Sequence, residues 1–228
     1  MSETRIDGKS SINVKRLVMW GVKSDTDAGT TYDTEVRKFL HQLNSARYVP
    51  KVQTAEQYGD GVKVEDYVAK DGGELDIVIR GFTDGDNEFL FGETSKNGTS
   101  VSNSGDIVPY VCAAYATERP DGKLNLYKFP KVKFMPQGED SRQREGSTVN
   151  YGTANIKGTY SPLLSNGDDC YKRLAVDPKT DAELITNWFS KADYTGEKTT
   201  AQNSGASALS LEKAGGDTET LPPDDEVE

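Results

Sequence analysis

The chain has 228 residues, of which 34% are hydrophobic and 28% are charged, and its formal net charge is −10. A chain of this length supports one sizeable core, or a core with appendages. The acidic balance argues against a nucleic-acid binder, whose affinity comes from Lys and Arg that neutralise phosphates. It fits ordinary solubility, and it also fits a surface that DNA passes without being held.

Strands dominate the predicted elements that follow a flexible N-terminal arm at residues 1–13. This N-terminus lacks the basic and apolar regions of a signal peptide, so we expect a protein that is made and kept in the cytosol. Leu75, Ile77 and Ile79 alternate with less apolar residues, which predicts a strand with one strongly apolar face. Turn residues bound all of the predicted strands in this part of the chain, at residues 14–22, 49–55, 62–68, 74–82 and 148–160.

The clearest signal is a long β-hairpin formed by residues 107–117 and 123–134. Residues 119–122, Arg-Pro-Asp-Gly, have the chemistry of a tight turn. Each strand would span roughly 35 Å, whereas a usual strand has about 5 to 6 residues. Pro109 and Pro130 lack an amide hydrogen and should mark strand edges or bulges. We expect the hairpin to carry assembly contacts through Tyr110, Leu126, Phe129, Val132 and Phe134.

Two short helices are predicted, and a third segment is ambiguous. In the first helix, Asp84 or Asp86 is the expected cap, and Gly92 ends the helix in a left-handed conformation. In the second, residues 180–183 form a capping box before an apolar stripe. Residues 31–43 show helical periodicity but have loop-like flanks, so they form either a helix or an extended arm. The stripe of the second helix consists of Leu184, Ile185, Trp188 and Phe189.

The composition changes at Thr195. From there to the end of the chain, eight acids stand against two lysines, and no aromatic residue occurs. Such a segment buries too little apolar surface to offset the entropy of ordering it. We therefore expect a β-rich domain at residues 14–194 and an acidic, disordered tail at 195–228.

Little in the sequence points to catalysis. His41 is the only histidine, which excludes a His-rich metal site and favours a solvated or locally bonded side chain. Residues 84–88 suggest a calcium loop, but Phe89 and Ser95 occupy the positions where an EF-hand needs Gly and Glu. Residues 59–61 are better explained as a hairpin turn than as a nucleotide loop. We expect no enzymatic activity, no metal and no cofactor, and no apolar stretch approaches the about 20 residues of a membrane anchor.

Several short motifs follow one another along roughly residues 14–190. They are Trp20-Gly21-Val22-Lys23, Tyr58-Gly59-Asp60-Gly61, residues 73–79, residues 89–92, Pro109-Tyr110-Val111, and Gly122-Lys123 with residues 127–134. Their collinear order resembles the major tail protein of long-tailed, non-contractile phages, which is the tail tube subunit of siphophages and prophages. The acidic tail beyond residue 195 departs from this pattern.

The resemblance implies a mainly β fold, a β-sandwich or barrel-like tail tube domain with a long hairpin and one or two short helices. Hexameric rings of such subunits stack into a hollow tube through which phage DNA passes into the host. The implied partners are other copies of the chain, a tape measure protein and a tail terminator, and the implied location is the virion after synthesis in the host cytoplasm. A closed ring also leaves no free sheet edge, which suits long strands.

The acids that would face the lumen of such a tube are predicted at turns and on the less apolar sides of strands. Negative charge there would prevent phosphates from binding to the wall. An ordinary solvated outer face is the alternative for each of these residues. The lumen candidates are Asp60, Glu65, Asp66, Glu74 and Asp76.

A β-sandwich carbohydrate-binding or adhesion module is the competing interpretation, and an enzyme is a third. A sugar-binding sandwich would present a concave aromatic patch, whereas an enzyme would have to work almost without histidine. Trp188 is equally explained as a core residue of the second helix. The aromatic residues that would supply the patch are Trp20, Tyr151, Tyr160 and Trp188.

Overall fold

The computed structural model describes residues 10–39, 42–60, 62–136, 153–165 and 170–194. Within these ranges the chain is mainly β, with eleven strands and two short helices, so the predicted fold class is confirmed. Residues 1–9 of the predicted N-terminal arm, His41 and the predicted tail at 195–228 lie outside the described residues. The domain boundaries therefore stay a prediction.

The elements follow one another in chain order as strands interrupted by two helices. The strands are β1 (Asn13–Thr26), β2 (Gly29–Tyr32), β3 (Arg37–Phe39), β4 (Leu43–Gly59), β5 (Val62–Ile79), β6 (Thr94–Lys96), β7 (Thr99–Val101), β8 (Tyr110–Glu118), β9 (Leu124–Met135), β10 (Ala154–Tyr160) and β11 (Lys172–Val176). The helices are α1 (Asp84–Phe91) and α2 (Ala182–Ser190).

Nine of the described strands form one antiparallel sheet with the order β2-β1-β8-β9-β10-β5-β4. β3 pairs with the middle of β1, while β11 and β10 pair with the first and last parts of β9. β6 and β7 form a separate two-stranded sheet. The main path of the sheet thus ends at β4, which pairs only with β5 among the described strands.

Two apolar clusters lie on opposite faces of the sheet, because successive residues of a strand point to opposite sides. Leu17 and Met19 of β1 belong to the first cluster, and Trp20 belongs to the second, which α2 covers. Leu75 of β5 packs in the first cluster as well. β5 is four strands away from β1, about 19 Å in a flat sheet. The sheet therefore curls over its first cluster, as in a sandwich.

The predicted hairpin is present as β8 and β9. The Gly122 N–H donates to the Arg119 carbonyl at 3.0 Å, and Gly122 has φ 76°, as the turn chemistry predicts. Pro109 directly precedes β8. Pro130 lies where the β8–β9 register shifts, between the pairs of Phe129 and Val132. Both prolines thus stand where pairing stops or shifts, although the pairing is within one chain.

The helix ends agree with the predictions only in part. Gly92 ends α1 with φ 72°, as predicted. The N-cap of α1 is Thr83 rather than an aspartate, and the Asp86 carboxylate accepts the Thr83 N–H at 2.9 Å and its hydroxyl at 2.7 Å. The N-cap of α2 is Asp181 rather than Thr180, and its side chain makes no capping hydrogen bond. The apolar stripe of α2 does face the core, as predicted.

The described part of residues 31–43 is not helical, so the extended alternative is closer to the structure. β3 pairs with residues 17–19 of β1, and this pairing places the Phe39 side chain in the first apolar cluster. Of the apolar residues whose spacing suggested a helix, Tyr32, Phe39 and Leu43 lie on three separate strands. Tertiary pairing with β1 therefore overrides the local periodicity.

Candidate functional site

The longest hairpin of the described chain is formed by β4 and β5, which pair from Leu43 and Ile79 to Gly59 and Val62. We call residues 51–70 of this hairpin the β4–β5 extension. Its described side chains are exposed on both faces, apart from the half-buried Ala69. At about 3.3 Å per residue, its strands reach roughly 25 to 30 Å beyond the sandwich.

A bulge marks the point where the extension leaves the sandwich. The β4–β5 register shifts between Pro50 and Val52, and Pro50 has no amide hydrogen to give to the ladder. Gly72 has φ 69°, and a Cβ there would overlap the backbone carbonyl of Tyr160. The sequence Asp-Gly-Gly at 71–73 suggested a break between two strands. It is instead a bulge inside one strand, because glycine allows this close approach.

Four apolar side chains of the extension are exposed to solvent within residues 62–68. Val62 is 66% exposed, Val64 69%, Tyr67 64% and Val68 62%. Single exposed apolar residues are ordinary on protein surfaces, but such a group on one strand marks a surface for association. A two-stranded hairpin is also marginally stable alone in water. The extension therefore has the properties of a surface that another chain buries.

The sequence predicted strands here but did not single out these four residues. Val62 and Val64 alternate with polar residues, which is typical of a strand with one buried face. Nothing in that alternation distinguishes burial inside the subunit from burial against another chain. The available signal was the turn at Asp60 between two strand-like segments, which predicted the hairpin but not its projection from the core.

All five predicted lumen acids lie on β5 or in the turn before it. Asp60 is exposed in that turn, with φ 51°. The backbones of Glu65 and Asp66 pair with Gln57 and Glu56 on β4, so both acids belong to the extension. The structure thus brings three of the candidates together on the extension. Their place in a lumen stays a prediction.

The other two lumen candidates, Glu74 and Asp76, lie on the outer face of the curled sheet. Glu74 is exposed and Asp76 is half-buried. Asp76 stands in register between Arg47 of β4 and Lys157 of β10. The outer face around Asp76 is therefore mixed in charge, and its contribution to a negative potential is reduced by these two neighbours.

Four of the five assembly residues predicted on the β8–β9 hairpin are buried in the core of the subunit itself. Only Tyr110 is partly accessible, at 40%, and the Nζ atoms of Lys131 and Lys133 lie 5.0 and 5.1 Å from its ring centroid. The strong strand signal of this hairpin reflects deep burial within one chain. The role of this hairpin in assembly stays a prediction, and of the five residues Tyr110 is the one that another subunit could contact. The four core residues, each at most 1% exposed, are Leu126, Phe129, Val132 and Phe134.

Three of the four residues that suggested the aromatic patch of the carbohydrate-binding alternative are buried. Trp20 and Trp188 belong to the second apolar cluster, and Tyr160 belongs to the first. All three are at most 2% exposed and are unable to stack on a sugar in this structure. Tyr151 lies outside the described residues. The competing interpretation therefore stays a prediction.

A cavity of about 730 Å³ lies between β1, β3 and α2. Its charged lining residues are Lys15, Arg16 and Lys38, and its lining includes no carboxylate, histidine or thiol. In the described part of the chain, no three side chains of His, Cys, Asp or Glu are grouped as metal ligands. Within the same ranges, none of the helices has the length and apolarity to cross a membrane.

No family model matches the chain, and no curated protein matches it.

Proposed function

We propose that this chain is a structural virion protein, the major tail subunit of a long-tailed, non-contractile phage. Its copies form stacked hexameric rings of a hollow tube through which phage DNA passes into the host. The observation that carries the proposal is the β4–β5 extension, with exposed apolar residues on a hairpin that projects from the core. None of its described side chains belongs to either apolar cluster. The extension therefore adds little to the stability of one subunit and much to a contact surface.

A neighbouring subunit supplies a strand to pair with the β4 edge and a surface to cover the exposed apolar residues of the extension. β4 ends the main path of the sheet, so its outer edge offers backbone donors and acceptors to another strand. Pairing along this edge would continue the sheet into the neighbour, and the exposed valines of β5 would be buried in the same contact. A heterologous contact repeated around a closed ring satisfies every copy in this way. The exposed edge and the exposed apolar residues then have one common explanation.

DNA passes through such a tube without specific binding. A chain with a net charge of −10 repels phosphates at long range. On the extension, Asp60 is exposed at the turn and Glu65 and Asp66 follow it on β5, while Arg47 and Lys157 moderate the charge beside Asp76. A tape measure protein and a tail terminator complete the proposed set of partners in the virion.

A shortened extension tests the proposal. Val52 and Lys70 are paired in register, so residues 53–69 are replaced by Asn-Gly, a two-residue hairpin turn. Both apolar clusters remain, and we expect the circular dichroism and thermal unfolding of the subunit to be retained. Sedimentation velocity should show large assemblies for the intact chain and monomers for the shortened one. Assemblies of equal size from both proteins would contradict the proposal.

A further inference from the structure

Lys128 of β9 is the most deeply buried charged residue among those described, with 1% of its surface exposed. Its Nζ donates hydrogen bonds to the carbonyl oxygens of Lys191 at 2.7 Å, Tyr194 at 3.1 Å and Ala192 at 3.3 Å. An ammonium has three N–H donors, and here each has an acceptor. The side chain thus ties a strand of the sheet to the segment that follows α2.

Two indole rings enclose the same ammonium. The Lys128 Nζ lies 4.8 Å from the ring centroid of Trp188 on α2 and 5.4 Å from that of Trp20 on β1. Both rings attract the cation through their faces. The chain has two tryptophans, so their fluorescence reports on this one place in the fold.

The carbonyl groups at the C-terminal end of α2 need hydrogen-bond donors. The last carbonyls of a helix lack partners within the helix and carry a partial negative charge. Ile185, Trp188 and Phe189 anchor the body of α2 in the second apolar cluster, whereas Lys128 binds the carbonyls just beyond its last turn. Apolar packing and the buried cation therefore hold different parts of the same segment.

We propose that α2 and residues 191–194 form a lid over the second apolar cluster, and that Lys128 is the positioning residue that keeps the end of this lid closed. Opening the lid would expose Trp20 and the apolar stripe of α2. That surface would compete with the β4–β5 extension for contacts between copies. The closed lid restricts association to the extension, and this consequence rests on the proposed function. The role of Lys128 in closing the lid does not depend on the proposed function.

Titratable groups on three other segments face the ammonium. Burial lowers the pKa of Lys128 to about 8, and repulsion from Lys172 of β11 acts in the same direction. The carboxylate of Asp193 beyond α2 opposes this shift, and Cys112 of β8 also faces the ammonium. Burial raises the pKa of the Cys112 thiol to about 12, so this thiol is neutral where Lys128 titrates.

Trypsin cleavage after Lys191 tests the lid directly. The protease must bind the Lys191 carbonyl group, whose oxygen accepts a hydrogen bond from Lys128 in the closed lid. The side chains of Lys191 and Lys179 are both exposed, so cleavage after Lys179, before α2, is an internal reference. Lys128→Met should raise the rate at Lys191 relative to Lys179 by about tenfold or more, because it removes three charged hydrogen bonds and the loss of one alone corresponds to about tenfold. Lys128→Arg should restore most of the protection, and Lys133→Met, on the same strand, should not change the ratio. An unchanged ratio in Lys128→Met would overturn the proposal.

A titration of the unmodified chain provides a second test that does not require a folded variant. Tryptophan fluorescence should change with a midpoint near pH 8, the pKa to which burial lowers Lys128. Lys172→Gln should move the midpoint up and Asp193→Asn should move it down, because they remove a repulsive and an attractive charge. Fluorescence that stays constant from about pH 6.5 to about 9.5 would overturn the proposal, since a lysine with its ordinary pKa is not enclosed as described.

Discussion

Replacing three valines of the β4–β5 extension by threonine should weaken self-association without unfolding the subunit. Threonine keeps the β-branched shape and the strand propensity of valine but carries a hydroxyl group. Full burial of a valine contributes about 1.5 kcal/mol. Val62, Val64 and Val68 are 66%, 69% and 62% exposed in the subunit. Each therefore has about two thirds of that value, roughly 1 kcal/mol, left to gain at an interface.

The three losses sum to about 3 kcal/mol per contact, which corresponds to on the order of a hundredfold in the association constant. The free energy of unfolding of the subunit should change by less than about 0.5 kcal/mol per site, because the residues are exposed. The control is Val101→Thr with Ile107→Thr, at sites that are 47% and 82% exposed and lie outside the extension.

Light scattering across a dilution series measures the concentration at which assemblies first appear. This onset should rise by about a hundredfold in the threonine variant and should stay unchanged in the control. If the threonine variant and the unmodified chain assemble at the same concentration, the extension is not buried on assembly.

Three further predictions follow from buried or charged residues. Leu126→Asp and Val132→Asp should each unfold the subunit, because a carboxylate without a partner in a core site costs several kcal/mol, and a native near-ultraviolet circular dichroism spectrum would contradict this. Tubes with four of the five lumen candidates changed to Lys should retain DNA at low salt and release it at high salt, and four such changes without DNA binding would place these acids outside the channel. Between pH 8 and 10.5 the unfolded chain keeps a proton on Lys128 that the folded chain loses. The free energy of unfolding should therefore rise with pH, by up to about 3 kcal/mol relative to Lys128→Met. A constant difference between the two proteins over that range would refute this.

Much of the fold could be predicted from local patterns in the sequence. The alternation at Leu75, Ile77 and Ile79 predicted a one-sided strand, and these residues are fully buried in β5. Arg-Pro-Asp-Gly at residues 119–122 predicted the turn of the β8–β9 hairpin, and Gly92 predicted the end of α1. Each of these signals depends on backbone conformation or on alternation within a few residues, so it can be recognised without knowledge of the tertiary structure.

The remaining features depend on contacts between distant segments. The bulge at residues 71–73 continues a strand that the sequence divided into two, because the glycines allow close approach to Tyr160. β3 becomes a strand by pairing with β1, against its local periodicity. Lys128 was not singled out, since its three acceptors lie more than sixty residues further along the chain.

The sequence singled out only part of the β4–β5 extension, for a related reason. Three lumen candidates do lie together on the β4–β5 extension, because they are close in sequence around one turn. The assembly contacts were assigned to the β8–β9 hairpin, where Leu126 and three neighbours fill the core of the subunit. Apolar alternation indicates that a strand is buried, but it does not say whether the same chain or another copy buries it.

Electron microscopy of the purified chain is the decisive test of tube formation, because it shows the symmetry of any assembly without a partner or a substrate. We expect six-fold rings with an open centre that stack into hollow tubes, in which the β4–β5 extension contacts the neighbouring subunit. Images that show only dispersed single subunits, at every protein concentration and salt concentration tried, would contradict it.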